Sequence, residues 1–304
     1  MKVFDDGVIA FDKRTGVKIL ETDGPSVLHS TSPDRVANAK RQIMRREKEA
    51  ETRLELFYKH GFFVWTIFDV GQAAFPELSK SSLSRLMFLA TYIDDNGVIS
   101  SKKNNRFDHP LSRGEIVREL DCNDRAFQRF MKEVISLGIV KESDGAYLFN
   151  TEFFRRGALG DKEAQMLWEN GRAISRLYVN ATRNLYWSAT GNSLNELSYL
   201  FRIMPFVNRE HNIVCENPLE SNVALIRPMT LGDLAEAIGY GRSHAARLQK
   251  LLTAPRFQVG KQILHAVRYS YEELGGVETH YLRVNPRVYY GGDKHEYVMD
   301  CGYF

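Results

Sequence analysis

No stretch of the sequence approaches the roughly 18 consecutive apolar residues that can cross a membrane, although 43% of the 304 residues are hydrophobic. The opening residues, MKVFDDGVIAFDK, lack a basic start followed by an apolar core, so no signal peptide is indicated. The three cysteines are widely separated and form no C-x-x-C pair, which argues against a disulfide framework and against zinc. We therefore expect a cytoplasmic protein with no membrane partner.

Signatures of catalysis are missing as well. No G-x-x-x-x-G-K-[ST] loop and no G-x-G-x-x-G turn occurs in a strand-to-helix setting, so an ATPase is not indicated. The eight histidines are dispersed, and none of the 14 tyrosines adjoins a recognisable base or arginine constellation. The sequence predicts a protein that is not an enzyme and that has no catalytic residues, no metal site and no cofactor.

The stretch of residues 111–157 has the signals of a helix, a turn, a second helix and a hairpin, in that order. Ser112 is followed three residues later by Glu115, which is the spacing of a capping box at the start of a helix. After a break, Asn123 or Asp124 can cap the second helix. A glycine ends that helix, and two short strands follow around an Asp-Gly turn. This order is typical of a winged helix-turn-helix.

The second helix of this stretch has one apolar face and one basic face. Residues at helical spacing predict the buried face: Phe127, Phe130, Met131 and Val134. Arg125, Arg129 and Lys132 follow on the opposite side. Because the net charge of the chain is only +3, nucleic-acid binding would have to come from such a local patch. A basic face that is merely solvated is the ordinary alternative, and it stays open here.

The pattern occurs twice along the chain. When Leu111 is aligned with Met229, both the apolar and the basic positions of the stretch recur, and Arg129 falls on Arg247. A repeat that preserves both kinds of position predicts two similar structural units.

The repeat extends upstream of this stretch. A slightly different alignment there places Ile99 on Val214. The same alignment places Phe62 on Leu177, so that one apolar run meets another. The repeat thus spans most of the chain.

After the hairpin the alignment shifts again and places Asn150 on Asn285, so the second hairpin is expected to be longer than the first. The aromatic pair Phe153-Phe154 then falls either on Val288-Tyr289 or, one residue further, on Tyr289-Tyr290. The sequence alone does not decide between these two alignments.

The remaining segments complete the predicted architecture. Alternating residues 7–23 predict a β-hairpin or a pair of edge strands, and residues 32–59 predict a charged helical arm. The apolar segments 62–70 and 83–93 are interpreted as helices, and residues 102–110 as a polar loop. In the second half we expect a linking helix from Asp161 to Tyr178, and an extended hairpin of residues 262–271 with residues 277–284.

The predicted fold class is mainly α with small β-wings, with two tandem winged helix-turn-helix domains preceded by an N-terminal hairpin and a basic helix. The predicted segments are 1–60, an N-terminal β-hairpin and charged helical arm; 61–160, the first winged-helix domain; 161–292, a linking helix and the second winged-helix domain; and 293–304, a C-terminal tail.

The candidate DNA-binding residues lie on the two presumed recognition helices and on their wings. They are Asn123, Arg125, Gln128, Arg129, Lys132 and Lys141 in the first half, and Arg242, Ser243, His244, Arg247, Lys250, Lys261 and Arg268 in the second. The two helices are expected to enter successive major grooves of one duplex. Two alternatives stay open: one helix serves a protein interface, or the second wing, with Tyr269, Tyr271 and Tyr281, is a homodimer surface.

The first repeat and its exit, LFNTEFFRRG, resemble the winged-helix replication initiators of Gram-positive plasmids and phages, the RepL type. The resemblance covers residues 83–157 and, more faintly, 194–292. The double layout is also similar to tandem winged-helix initiators that bind repeated origin sequences, whereas RepL-type proteins usually have one such domain. The resemblance implies origin recognition and recruitment of host replication proteins, without catalysis, at the nucleoid of a bacterial host cell.

These observations predict a protein that binds double-stranded DNA sequence-specifically, as the initiator at a phage or plasmid replication origin. A phage transcription regulator that uses the same surfaces is the first alternative. A structural or partner-binding protein whose domains do not bind DNA is the second.

Overall fold

The computed structural model describes residues 9–11, 18–21, 41, 61–103, 106–157, 159–189, 191–274 and 276–292. The chain divides into two compact units, residues 1–54 and residues 55–304. In the first unit, β1 (Ile9–Phe11) pairs antiparallel with β2 (Lys18–Glu21), which confirms the predicted hairpin. The predicted arm helix, apart from Arg41, and the C-terminal tail lie outside the described residues.

The second unit mixes helices with short strands. Its strands are β3 (Phe63–Asp69), β4 (Ser100–Lys103), β5 (Arg106–Pro110), β6 (Val140–Ser143), β7 (Ala146–Phe149), β8 (Phe154–Arg155), β9 (Arg172–Tyr178), β10 (Arg256–Val259), β11 (Gln262–His265), β12 (Val267–Leu274), β13 (Val277–Val284) and β14 (Tyr289–Tyr290). Its α-helices are α1 (Lys80–Ala90), α2 (Arg113–Glu119), α3 (Asp124–Ser136), α4 (Asp161–Glu169), α5 (Val179–Ser188), α6 (Ser193–Arg202), α7 (Leu231–Ala237) and α8 (Ala245–Thr253). Short 3-10 helices span Met204–Phe206, Val223–Leu225 and Arg242–His244.

The prediction of a mainly helical protein with small β-wings is wrong. The described residues contain 8 α-helices and 29% strand in several antiparallel sheets, which is an α+β mix. Residues 62–70, interpreted as a helix, contain strand β3, and the predicted polar loop 102–110 belongs to the paired strands β4 and β5. Short apolar runs rich in aromatic and β-branched residues do not distinguish a buried strand from a buried helix by periodicity. The layout of two tandem winged-helix domains is therefore not supported.

The predicted linking helix is also wrong in its second half. Helix α4 ends at Glu169, and Gly171 has a φ of +71°, a conformation that glycine adopts readily and that lets the chain turn. The residues after this turn, RAISRLY, form strand β9, which is almost entirely buried. A strand buried on both faces has no polar alternation that would identify it in the sequence.

A four-stranded antiparallel sheet joins the two halves of the second unit. Its strand order is β14-β9-β3-β8, so both halves contribute one central and one edge strand. One face packs into the main core with Val64, Phe68 and Leu177. On the other face Ile67 and Ile174 are covered by side chains of α4. The domain boundaries drawn from the sequence stay a prediction, but in the described residues the two halves share this sheet.

Equivalent backbone hydrogen bonds confirm the repeat. The amide of Leu111 donates to the carbonyl of Ile99 at 2.8 Å, and the amide of Met229 donates to the carbonyl of Val214 at 3.1 Å. The sequence alignment places Leu111 on Met229 and Ile99 on Val214, so the two bonds join equivalent positions.

The exits of the two halves also have equivalent hydrogen bonds. The carbonyl of Asn150 accepts from the amide of Phe154 at 3.1 Å, and the carbonyl of Asn285 accepts from the amide of Tyr289 at 3.2 Å. Phe154 and Tyr289 then begin the edge strands β8 and β14. Of the two alignments left open by the sequence, the structure therefore supports the one that places Phe154 on Tyr289.

The pairing of these edge strands corrects the predicted alignment of the apolar runs. Phe154 lies opposite Thr66 in the sheet, and its equivalent, Tyr289, lies opposite Leu177. The residue equivalent to Leu177 is therefore Thr66 and not Phe62. An apolar run without internal alternation aligns with another such run in several registers, so the sequence did not fix this one.

The insertion in the second half forms one additional hairpin and lengthens another, which confirms a longer second hairpin. Strands β12 and β13 correspond to β6 and β7 but have eight residues each instead of four. The additional hairpin pairs β10 with β11 around Gly260 and Lys261. The predicted continuous strand 262–271 is wrong, because the chain breaks at Ala266, whose buried amide donates to the carbonyl of Pro255.

Candidate nucleic-acid interface

Local capping fixes the turn between α2 and α3. The predicted capping box is confirmed: the carboxylate of Glu115 accepts from the amide of Ser112 at 2.8 Å, and the Ser112 hydroxyl accepts from the amide of Glu115 at 3.4 Å. Asp121 has a φ of +43° in the turn. Asn123 then caps α3, since its side-chain oxygen accepts from the amide of Ala126 at 2.9 Å. One candidate DNA-binding residue, Asn123, thus has a structural role at the helix start.

Helix α3 presents its basic face to solvent. The predicted apolar residues are buried, and the candidate residues on the opposite side are exposed: Arg125, Gln128, Arg129 and Lys132. Within the described part of the chain, none of these four side chains makes a hydrogen bond or an ion pair. Glu133, the carboxylate next to Lys132 in the sequence, instead accepts from the amide and the hydroxyl of Ser79 at 3.1 and 3.2 Å. The basic face is therefore available to a ligand.

The second half builds the same arrangement with a different turn. The Thr230 hydroxyl caps α7 by accepting from the amide of Asp233 at 3.2 Å. Gly241 has a φ of +90°, and a 3-10 turn that contains the exposed candidates Ser243 and His244 leads into α8. The candidates Arg247 and Lys250 lie on the exposed face of α8. Neither side chain has a hydrogen bond or ion pair among the residues that the structure describes.

Arg242 differs from the other basic candidates because carboxylates hold it. Its guanidinium lies 2.8 Å from the Asp233 carboxylate and 3.3 Å from the Glu236 carboxylate. The equivalent position in the first half is Asp124, which pairs with Arg113 at 2.9 Å. In each half an ion pair thus joins the first helix of the turn to this equivalent position, which holds an anion in the first half and a cation in the second. This arrangement gives Arg242 a role in fixing the turn.

The basic residues predicted on the wings lie on three separate hairpins. Lys141 is exposed on β6, and Arg268 is exposed on β12, the equivalent strand of the second half. Lys261 is exposed at the turn of the additional hairpin β10–β11. Lys141 and Arg268 are therefore on equivalent strands beside α3 and α8, whereas Lys261 has no counterpart in the first half.

The long hairpin β12–β13 carries an exposed aromatic group that the sequence identified only in part. Tyr269 and Tyr271 are 37% and 56% exposed, and their rings lie 5.4 and 4.4 Å from the ring of His280. Tyr281, which was grouped with them, is 1% exposed, and its hydroxyl donates to Glu272 at 2.6 Å. His280 and Tyr281 are neighbours in one strand, so their side chains point to opposite faces of the hairpin. The pairing register of the two strands decides which of them lies beside Tyr269 and Tyr271. A two-residue turn between Leu274 and Val277 sets that register, so the turn was the signal in the sequence that could have identified His280.

A second group of cations was not found from the sequence. Lys102 lies 3.8 Å from the ring of Phe62, and Arg156 lies 4.8 Å from the ring of Phe107. Burial lowers the pKa of Lys102 to about 8, with further contributions from Arg156 and Arg183. The three cations, Lys102, Arg156 and Arg183, come from three distant segments, so no spacing signal identifies them. Their aromatic contacts account for how the cations are held near one another.

No protein-family model, curated protein or solved structure matches this chain. In the described ranges, every helix is too short or too polar to span a bilayer.

Proposed function

We propose that this protein binds double-stranded DNA sequence-specifically through the outward faces of α3 and α8, as the initiator at a phage or plasmid replication origin. One observation carries the DNA-binding part: equivalent positions in the two halves hold an exposed arginine and an exposed lysine, Arg129 with Lys132 and Arg247 with Lys250. None of these side chains has a polar partner among the described residues. A single basic face is ordinary, but its recurrence in two diverged halves favours a shared ligand.

The chemistry of these positions fits a duplex. An α-helix fits the major groove, where a planar guanidinium can donate two hydrogen bonds to the edge of a guanine. A lysine one turn further suits a phosphate, because its compact charge needs no fixed geometry. Lys141 and Arg268, on equivalent hairpin strands, would add contacts to the DNA backbone. The two helices would enter successive major grooves of one duplex.

The initiator role has separate support. It rests on the resemblance of the exit LFNTEFFRRG to RepL-type initiators, and in the structure this segment contains the edge strand β8. Recruitment of host replication proteins belongs to the same proposal. The DNA-binding part does not depend on the resemblance, so the two parts are tested separately.

Binding titrations with the full chain test base recognition. Replacement of Arg129 or Arg247 by alanine should cost about 1–3 kcal/mol of binding free energy at a selected site and much less on random DNA. The matched control is Arg227→Ala, which removes an exposed arginine that lies outside both helices and pairs with Glu216. Unchanged specific affinity in both helix variants would refute recognition by these faces.

Salt titrations test the phosphate contacts. Lys132→Ala and Lys250→Ala should weaken specific and random DNA alike. Each lost phosphate contact should also flatten the dependence of log K on log salt by about 0.9. A lysine variant with an unchanged slope would show that this side chain does not contact phosphate.

Mapping of the bound sites on the genome that encodes the protein tests the initiator role. Footprints clustered at one replication origin are expected. Footprints at promoters away from any origin would replace the initiator with a transcription regulator, and an absence of footprints would refute DNA binding itself.

A further inference from the structure

The central sheet relates the two halves by a rotation. Strands β3 and β9 occupy equivalent places in the two halves and pair antiparallel, with Trp65 opposite Arg176. The edge strands β8 and β14 then pair with β3 and β9 at equivalent positions: Arg155 lies opposite Trp65, and Tyr290 lies opposite Arg176. Two equivalent strands in an antiparallel pair are related by a two-fold axis perpendicular to the sheet. An approximate two-fold axis therefore passes between Trp65 and Arg176.

The helices above the sheet follow the same axis. Helices α1 and α6 are equivalent elements that pack against each other, and the hydroxyl of Ser84 on α1 donates to the carbonyl of Leu194 on α6 at 2.7 Å. Helix α3 packs on α1, and helix α8 packs on α6. The two basic helices are therefore related by rotation about this axis and not by a translation along the chain.

We propose that the DNA site is an imperfect inverted repeat bound by a single chain, with α3 on one half-site and α8 on the other. This inference rests on the proposed function and specifies its substrate. A duplex has two-fold axes perpendicular to its length, so helices related by a two-fold axis meet similar base sequences on opposite strands. Two half-sites in direct orientation would need helices related by a translation along the duplex, which the antiparallel pairing of β3 with β9 does not provide.

The differences between the two helices make the repeat imperfect. Arg129 and Arg247 occupy equivalent positions, so each half-site should present a guanine at the same distance from the centre. One turn earlier, Arg125 in α3 is replaced by Ser243 in the second half. A serine cannot make the two-pronged contact of an arginine, so the base at this position should differ between the half-sites.

The decisive experiment locates the guanine that each arginine contacts. A site is selected from random duplexes with the full chain, and each of its guanines is replaced in turn by 7-deazaguanine, which lacks the N7 acceptor. The wild-type protein should lose affinity at two guanines. Arg129→Ala should become insensitive to one and Arg247→Ala to the other, and these two guanines should lie on opposite strands at equal distances from the centre.

Each of the other outcomes leads to a different conclusion about the inverted repeat and the proposed function. Two guanines on the same strand would overturn the inverted repeat and leave the proposed function intact. If no site is selected, or if neither variant changes any guanine sensitivity, base recognition by these helices fails, and the inverted repeat fails with it.

A second measurement tests the orientation directly. Reversal of one half-site, with the spacing between centres kept, should lower the affinity of the full chain roughly 5- to 150-fold, the loss expected for one arginine-guanine contact. Arg227→Ala should show the same ratio of affinities for the original and the reversed site as the wild type. Sedimentation should find one chain on each duplex. Equal affinity for both orientations, or two chains on each duplex, would overturn the inference.

Discussion

The two halves of the second unit share their buried backbone contacts but differ on their surfaces. In both halves an asparagine at the hairpin exit, Asn150 or Asn285, accepts from the amide that begins an edge strand. At the surface, the equivalent positions Asp124 and Arg242 carry opposite charges, and each pairs with the preceding helix, through Arg113 and Asp233. Buried polar groups must keep their partners, whereas an exposed ion pair can change sign at little cost in stability.

The largest expected effect tests whether the two halves are one cooperative structure. Phe154 and Tyr289 are equivalent, almost fully buried residues on the two edge strands of the central sheet. Phe154→Ala should lower the free energy of unfolding by about 3–5 kcal/mol, and Tyr289→Ala should have a similar effect, because each leaves a cavity. Since both strands belong to one sheet, each variant should shift the same single transition in urea.

Fluorescence and circular dichroism should therefore give coincident unfolding curves for both variants. The control is Ile263→Ala, which removes a side chain that is 70% exposed and should change stability by less than about 0.5 kcal/mol. Two separate transitions, with one displaced by each variant, would show that the halves unfold independently.

A prediction of intermediate size compares the equivalent asparagines Asn150 and Asn285. The side chain of Asn285 is fully buried; it donates to the carbonyl of His265 at 3.0 Å and accepts from the amide of Arg287 at 2.9 Å. Asn285→Ala should cost about 1–3 kcal/mol of unfolding free energy, because buried polar groups lose their partner. Asn150 makes the same kinds of bond but is only half-buried, so water can replace it and Asn150→Ala should cost less. Urea titrations measure both variants, and equal losses of unfolding free energy for Asn150→Ala and Asn285→Ala would show that burial does not set the cost.

The sequence was sufficient where the signal is local. The capping box at Ser112, the buried face of α3 and the recurrence of the basic positions in α8 all depend on residues within a few positions of one another. The start of α8 was harder to predict from the sequence, because a 3-10 turn after Gly241 precedes that helix. The candidate interface was therefore largely predictable as a set of exposed residues.

The fold class was not predictable because its decisive contacts are long-range. Strands β3 and β9 lie far apart along the chain, and each is a short apolar run without alternation. The ion pairs of Arg242 also depend on how two helices meet, and no spacing rule gives that. For the same reason the two-fold relation of the halves became visible only from the strand register.

The smallest expected effect concerns the two helix caps. Ser112→Ala and Thr230→Ala should each lower the free energy of unfolding by about 0.5–2 kcal/mol, because an amide at the helix start loses its acceptor. Ser112→Ala keeps the backbone amide that donates to Glu115, so half of the box survives and the loss should be no larger at Ser112 than at Thr230. Urea titrations at neutral pH measure both, and a clearly larger loss at Ser112 would contradict this expectation.

The pH dependence of the first cap identifies the contribution of its charge. Hydrogen bonds from the side chain and backbone of Ser112, and then from His109, lower the pKa of Glu115 to about 2. A carboxylate with a lowered folded-state pKa stabilises the fold above its unfolded pKa of about 4.3, and this stabilisation is lost as the pH falls towards the folded value. Glu115→Gln keeps the acceptor without the charge, so it should be less stable than the wild type near neutral pH and equal to it near the folded pKa. A difference that stayed constant across this range would show that the cap acts through geometry alone.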